Sequence, residues 1–204
     1  KIGSAALDEK ENRLKGAEGV VTGKHGGADK VIIHFPKKVH ENLCIGDKIQ
    51  IRAGGTGLKL PDHPEIMVMN CSPRLFRALQ ISEKGSKVRI QVAKIIPGKI
   101  MGSGLGSSCS FAGDYDIQSV SPEAIQEYTL NSLRLGDFVA ITDHDCSHGP
   151  RWQSGALTVG IVIHGSSFIS GHGPGVTTLF SSPKGTIEPI ISRKANIADL
   201  LGLH

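Results

Sequence analysis

Glycine is the feature that most constrains this chain. It supplies 26 of 204 residues, and these recur in short clusters between brief apolar runs. Glycine adopts backbone conformations closed to other residues and lets two chains approach closely, so clusters at this spacing read as tight turns. The runs between them are β-branched: Val31-Ile32-Ile33, Ile49-Gln50-Ile51, Val88 to Ile96, Phe138 to Ile141 and Leu157 to Ile163. Each is short enough for a strand and too short for a regular helix. Three helices are expected: Ser72-Pro73 through Leu79, Ser121-Pro122 to about Leu133, and Asn196 through Leu201. In the first two, a capping serine precedes proline at the first helical position. So few helices do not suit a βαβ series. The chain is therefore expected to be mainly β, with two barrel-like or sandwich-like units and two or three short helices.

One pattern occurs twice. Leu43-Cys44-Ile45-Gly46-Asp47-Lys48-Ile49-Gln50-Ile51 is echoed by Leu133-Arg134-Leu135-Gly136-Asp137-Phe138-Val139-Ala140-Ile141. A Gly-Asp turn feeds an alternating strand in each, which is more simply a structural device used twice than a repeated binding motif. It argues for an N-terminal unit over residues 15–97 and a C-terminal unit over 98–204, with 1–14 as a partial N-terminal segment.

Charge and cysteine usage narrow the function classes. The formal net charge of +4 is spread along the chain, and one Trp and two Tyr leave few stacking platforms. Nucleic-acid binding is not expected from that balance. No apolar run has membrane length and no signal-peptide pattern is present, so a cytoplasmic protein without membrane contact is expected. Cys44, Cys71, Cys109 and Cys146 form no C-x-x-C pair, which argues against a zinc knuckle. Cys44 and Cys71, among apolar residues, are expected in the core.

Two acidic constellations carry the candidate chemistry. In Asp143-His144-Asp145-Cys146-Ser147-His148, alternation along an extended strand would put Asp143 and Asp145 on one face, with His148 close enough to curl back. Carboxylates so placed repel unless a cation or proton lies between them. Gly113-Asp114-Tyr115-Asp116 repeats the Asp-x-Asp spacing. The expected metal ligands are Asp114, Asp143, Asp145, His148 and His164, the last ending the apolar run 160–163. Asp116 and His172 are the candidate acid–base residues. The ion expected is divalent: zinc or manganese if imidazole takes part, magnesium or calcium if only oxygens do.

Glycine loops supply candidate anion or substrate donors. Gly171, Gly173 and Gly175 flank His172, Gly104 and Gly106 lie in Met101-Gly102-Ser103-Gly104-Leu105-Gly106, and Lys24 with His25 precede Gly26-Gly27. None is a P-loop, and the 101–106 segment lacks the dinucleotide spacing, so no nucleotide cofactor is expected. No G-x-S-x-G elbow supports a serine nucleophile. A Cys146 thiol with His144 or His148 as base is a further reading.

The runs 19–27, 45–53, 101–106, 113–118 and 171–178 together resemble a prokaryotic family known as domain of unknown function 4438, over nearly the whole chain from Gly16 onward. That resemblance implies no particular activity, and it implies a longer N-terminal region than is present. Gly113-Asp114 and Leu135-Gly136-Asp137 also resemble acetamidase/formamidase-type hydrolases, which are β-rich and use carboxylate/His metal sites; no catalytic residue carries over. The leading expectation is a metal-assisted hydrolase of a small amide- or ester-like substrate. The competing one is a non-catalytic small-ligand-binding protein or homo-oligomeric scaffold.

Overall fold

The computed structural model describes residues 5–8, 14, 16–25, 30–102, 109–166 and 172–203. In chain order the elements are β1 (Ala5–Asp8), β2 (Glu18–His25), β3 (Lys30–His34), α1 (Lys37–His40), β4 (Ile49–Arg52), β5 (Met67–Val68), α2 (Pro73–Ala78), β6 (Ser82–Lys84) and β7 (Lys87–Val92). There follow β8 (Lys94–Pro97), β9 (Tyr115–Asp116), α3 (Pro122–Glu127), β10 (Phe138–Asp145), β11 (Arg151–His164), β12 (Gly175–Ser182), β13 (Ile187–Ile191) and α4 (Ile197–Leu201). The protein is mainly β. Its sheets are a four-stranded β3-β2-β1-β4, a central β5-β12-β11-β10-β8 with β9 also on β12, and a three-stranded β13-β7-β6. Among the described residues none closes into a barrel.

The central sheet is buried on both faces. Phe138 and Ala140 of β10 enter one core with Leu75, Ile90, Phe180 and Ile197. Val139 and Ile141 enter the other with Ile96, Ile117, Leu130 and Val176. A strand covered on both sides needs apolar residues at every position, which is why Phe138 to Ile141 runs without alternation. The Val88 to Ile96 run divides for a related reason. Its first part pairs with β6 and β13, and after Ala93 its last part pairs in parallel with β10, so one run serves two sheets.

The twice-used Gly-Asp pattern has one structural basis. Asp47 Oδ2 accepts from the Cys44 backbone N–H at 2.7 Å, and Asp137 Oδ2 accepts from that of Arg134 at 2.8 Å. The preceding Gly46 and Gly136 take left-handed φ values of 94° and 82°, which favour glycine. In the first copy the loop stays at the surface, so Cys44 is exposed and not in the core, whereas Cys71 is buried. Ser72, Ser121 and Asn196 cap their helices as expected. The second helix is shorter than expected. It ends at Glu127, and Thr129 with φ 48° turns the chain into a 3-10 turn, Leu130–Ser132. No helix among the described residues is long and apolar enough to cross a membrane.

Candidate metal centre

The centre is assembled where three neighbouring strands meet in one row. His164 ends β11 and lies opposite Gly175 of β12, and Gly175 in turn lies opposite Asp116 of β9. Glycine in the middle leaves the space above it open. A Cβ at Gly175 would stand 2.1 Å from His164 Nε2 and 2.6 Å from Asp114 Oδ2. The side chains from either side therefore meet over bare backbone. A fourth strand brings His25. Gly23 of β2 packs so closely on Ile163 that a Cβ there would sit 2.6 Å from its Cγ2. Thr177 Oγ1 donates to the Lys24 carbonyl at 3.0 Å, fixing the end of β2 over the central sheet.

The donors converge. One ligand atom each from His25, Asp114 and His164 lie within 4.8 Å of one another. His164 Nε2 is 3.0 Å from Asp114 Oδ2 and 3.4 Å from Asp116 Oδ1. Its Nδ1 is 2.9 Å from the Gly165 carbonyl. A carbonyl only accepts, so Nδ1 carries hydrogen and Nε2 is the atom offered to the site. With the ring neutral, that arrangement would leave Nε2 free to ligate, as metal-ligating histidines require. The His25 ring lies 5.2 Å from that of His164, and its buried Nδ1 has no hydrogen-bond partner among the described residues. His172 Nδ1 is 3.0 Å from Asp116 Oδ2, so the two oxygens of one carboxylate divide between two imidazoles.

Electrostatics favour positive charge here. Asp114 and Asp116 are both buried. Hydrogen bonding to Asp114, then to Asp116, pushes His164 up to about 10 against the opposing effect of burial. Two imidazoles and a carboxylate are the donor set of zinc, manganese or iron sites.

The Asp143-to-His148 run takes a different role. The expected shared face for Asp143 and Asp145 does not form. A bulge falls between Thr142 and His144, and Asp143 adopts φ 54°. Asp143 Oδ1 accepts from the Gly155 N–H at 2.8 Å. Asp145, wholly buried, accepts from Ser147 N–H and Oγ, Ser181 Oγ, and Arg151 Nε and Nη2, at 2.7 to 3.0 Å. Burial alone would raise its pKa, but the hydrogen bonds from Ser147, Ser181 and Arg151 hold it below the usual range. His148 is exposed. Burial pushes the Cys146 thiol up to about 11, which makes it an inert thiol at neutral pH.

His144 is neutral for the same reason. Thr158 Oγ1 donates to the His144 carbonyl at 2.8 Å and so must accept from His144 Nδ1 at 3.1 Å. Nε2 is buried without a partner among the described residues, and burial lowers the pKa to about 4. The ring packs on Tyr115, between the two site aspartates, at 5.1 Å. Unfolded histidine binds its proton near 6.5, so between that pH and about 4 the unfolded chain holds more protons and stability falls as pH falls. The loss expected by pH 4 is about 3 kcal/mol. Thermal melts of His144→Phe should show a shallower decline in Tm between those pH values than the parent. Equal slopes would disprove the assignment.

The structure thus brings together Asp114, Asp116, His164 and His172 of the expected residues, and leaves Asp143, Asp145 and His148 outside the cluster. His25, expected as an anion contact, is instead placed among the ligand atoms. The available signal was that β2, like β11, ends its run in histidine. Lys24 Nζ donates to the Phe111 carbonyl at 2.7 Å, tying β2 to the segment before Asp114. Gly173 lies so close to the Ile117 carbonyl that a Cβ would come within 1.7 Å. Gly104, Gly106 and Gly171 lie outside the described residues.

A mainly β protein with a histidine–aspartate cluster at a strand row is the class so defined. Residues 9–77 match the domain of unknown function DUF4438, N-terminal, and residues 78–201 match DUF4438, C-terminal; the chain belongs to this family. It is also similar to the crystal structure of TM1086, at 44% identity and a TM-score of 0.89, over 97% of this chain and 69% of that one. Comparison with curated proteins gives no match.

Proposed function

We propose that the protein binds one divalent transition-metal ion through His25, Asp114 and His164 and uses it to hydrolyse a small amide- or ester-like substrate. The observation that carries this reading is the convergence of those three donor atoms within 4.8 Å, beside the Asp116–His172 pair. Nitrogen donors favour zinc, manganese or iron over magnesium or calcium. The ion would polarise the substrate carbonyl and acidify water at the site. Asp116, whose Oδ1 faces the cluster, accepts the proton of the attacking water as its oxygen bonds to the carbonyl carbon. His172, bonded to the other oxygen of that carboxylate, delivers a proton to the departing nitrogen or oxygen as the bond to carbon breaks. The proton held on Asp116 then restores His172. The products are a carboxylic acid and an amine or alcohol.

Protein purified without chelator is expected to carry about one zinc, manganese or iron ion per chain by plasma mass spectrometry. Dialysis against a chelator should lower Tm and abolish hydrolysis of p-nitrophenyl acetate, and zinc or manganese should restore both. A chain that holds no stoichiometric metal and responds to none of these ions would overturn the reading.

A further inference from the structure

A cavity of about 230 Å³ borders the centre. It lies under α3 and the Leu130–Ser132 turn, and His164 and Gly165 form part of its wall. Pro174, the neighbour of Gly175, closes the same side, so the cavity meets the site along the strand row that holds His164. A larger hollow of about 490 Å³ between Leu58 and Phe111 touches none of the three ligand residues.

The lining sorts by polarity. Ile125, Leu130, Leu133 and Val162 make an apolar interior. Leu135 stands at the wall with 65% of its surface exposed. Ser119 and Ser166, with hydroxyls 3.3 Å apart, supply polar groups near the Pro174 side. Apart from His164, the one charged side chain on the wall among the described residues is Arg134. Its Nη2 already serves Asp137 Oδ1 at 3.0 Å and the Arg193 carbonyl at 3.2 Å. The cavity therefore offers apolar contact, the two hydroxyls and the Asn131 amide, while its two cationic side chains are each paired with an aspartate, Arg134 with Asp137 and His164 with Asp114.

We infer that this cavity is the acyl subsite of the proposed centre, and that it takes an uncharged aliphatic group of roughly four to six carbons. Its volume lies below the usual range for drug-sized ligands. The aliphatic chain lies against Ile125, Leu130 and Leu133, and the reacting carbonyl points toward the His164 wall. This inference rests on the proposed hydrolytic reading for its chemistry, but not for the occupancy of the cavity.

Two measurements on the full chain separate the two. Butyramide binding by saturation-transfer NMR reads the cavity without any reaction. It is expected in the parent and lost in Ile125→Trp, whose larger ring fills the space. In metal-loaded protein, kcat/KM for p-nitrophenyl butyrate should exceed that for the acetate by about tenfold, since two further methylenes are buried. Ile125→Trp should remove that preference while metal content stays at the parent's level. Leu133→Phe serves as the second filling variant should Ile125→Trp fail to fold by circular dichroism. Failure of butyramide to bind the parent, or a chain-length preference unchanged in the filled variants, would overturn the subsite. Metal-free, inactive protein that still binds butyramide would overturn the hydrolytic reading and leave the cavity as a ligand site.

Discussion

Gly175→Ala is expected to fold normally and to bind zinc or manganese at least about a hundredfold more weakly than the parent. The added methyl would lie 2.1 Å from His164 Nε2 and 2.6 Å from Asp114 Oδ2. Both atoms are the ends of side chains, so they can swing aside without moving a strand, and the backbone at Gly175 is not in the left-handed region. The fold therefore survives, but the donors can no longer converge. Isothermal titration with zinc and far-UV circular dichroism would read the two effects separately. Gly173→Ala is the informative contrast. There the obstacle is the Ile117 backbone carbonyl, 1.7 Å away, so the fold itself must shift and Tm should fall. Parent-like zinc affinity in Gly175→Ala would remove the row of His164, Gly175 and Asp116 from the argument for a metal centre.

That contrast also shows which parts of the site could be read from sequence. Asp114 and Asp116 were legible because a short extended segment places alternate residues on one face, and β9 keeps that geometry beside β12. His164 was legible as a polar end to a buried run. Asp143 and Asp145 satisfied the same spacing rule, but the bulge at Asp143 breaks the alternation, and nothing in the spacing signals a bulge. His25 was visible as a residue but not as a partner of His164. Their contact depends on β2 packing over the end of β11 through Gly23, a long-range approach that local pattern does not encode. The same division holds for the fold. The runs at Ile49 and Phe138 and the three helix caps follow from local chemistry. The split of Val88 to Ile96 between two sheets follows only from what surrounds it.

Asp145→Ala should have the largest effect on stability, with a cost of about 3–5 kcal/mol, because it leaves several buried donors without an acceptor and also breaks the ion pair with the half-exposed Arg151. Asp145 gathers Ser147, Ser181 and Arg151 around one carboxylate that no solvent reaches. Without it the Arg151 guanidinium loses its counter-ion at 2.8 Å and the Ser147 backbone N–H loses its acceptor. For a chain of this length the expected fall in Tm is roughly 10 °C. Zinc affinity measured below the new transition should change by less than about threefold, since Asp145 contributes no donor to the His25–Asp114–His164 cluster. The opposite pattern, a stable chain that no longer holds zinc, would return this carboxylate to the metal centre. The two aspartate pairs share a spacing but differ in what neutralises them: arginine and hydroxyl donors at Asp145, imidazoles at Asp114 and Asp116. A cation can replace a proton shared between imidazole and carboxylate, whereas an arginine keeps its charge and leaves no room for one.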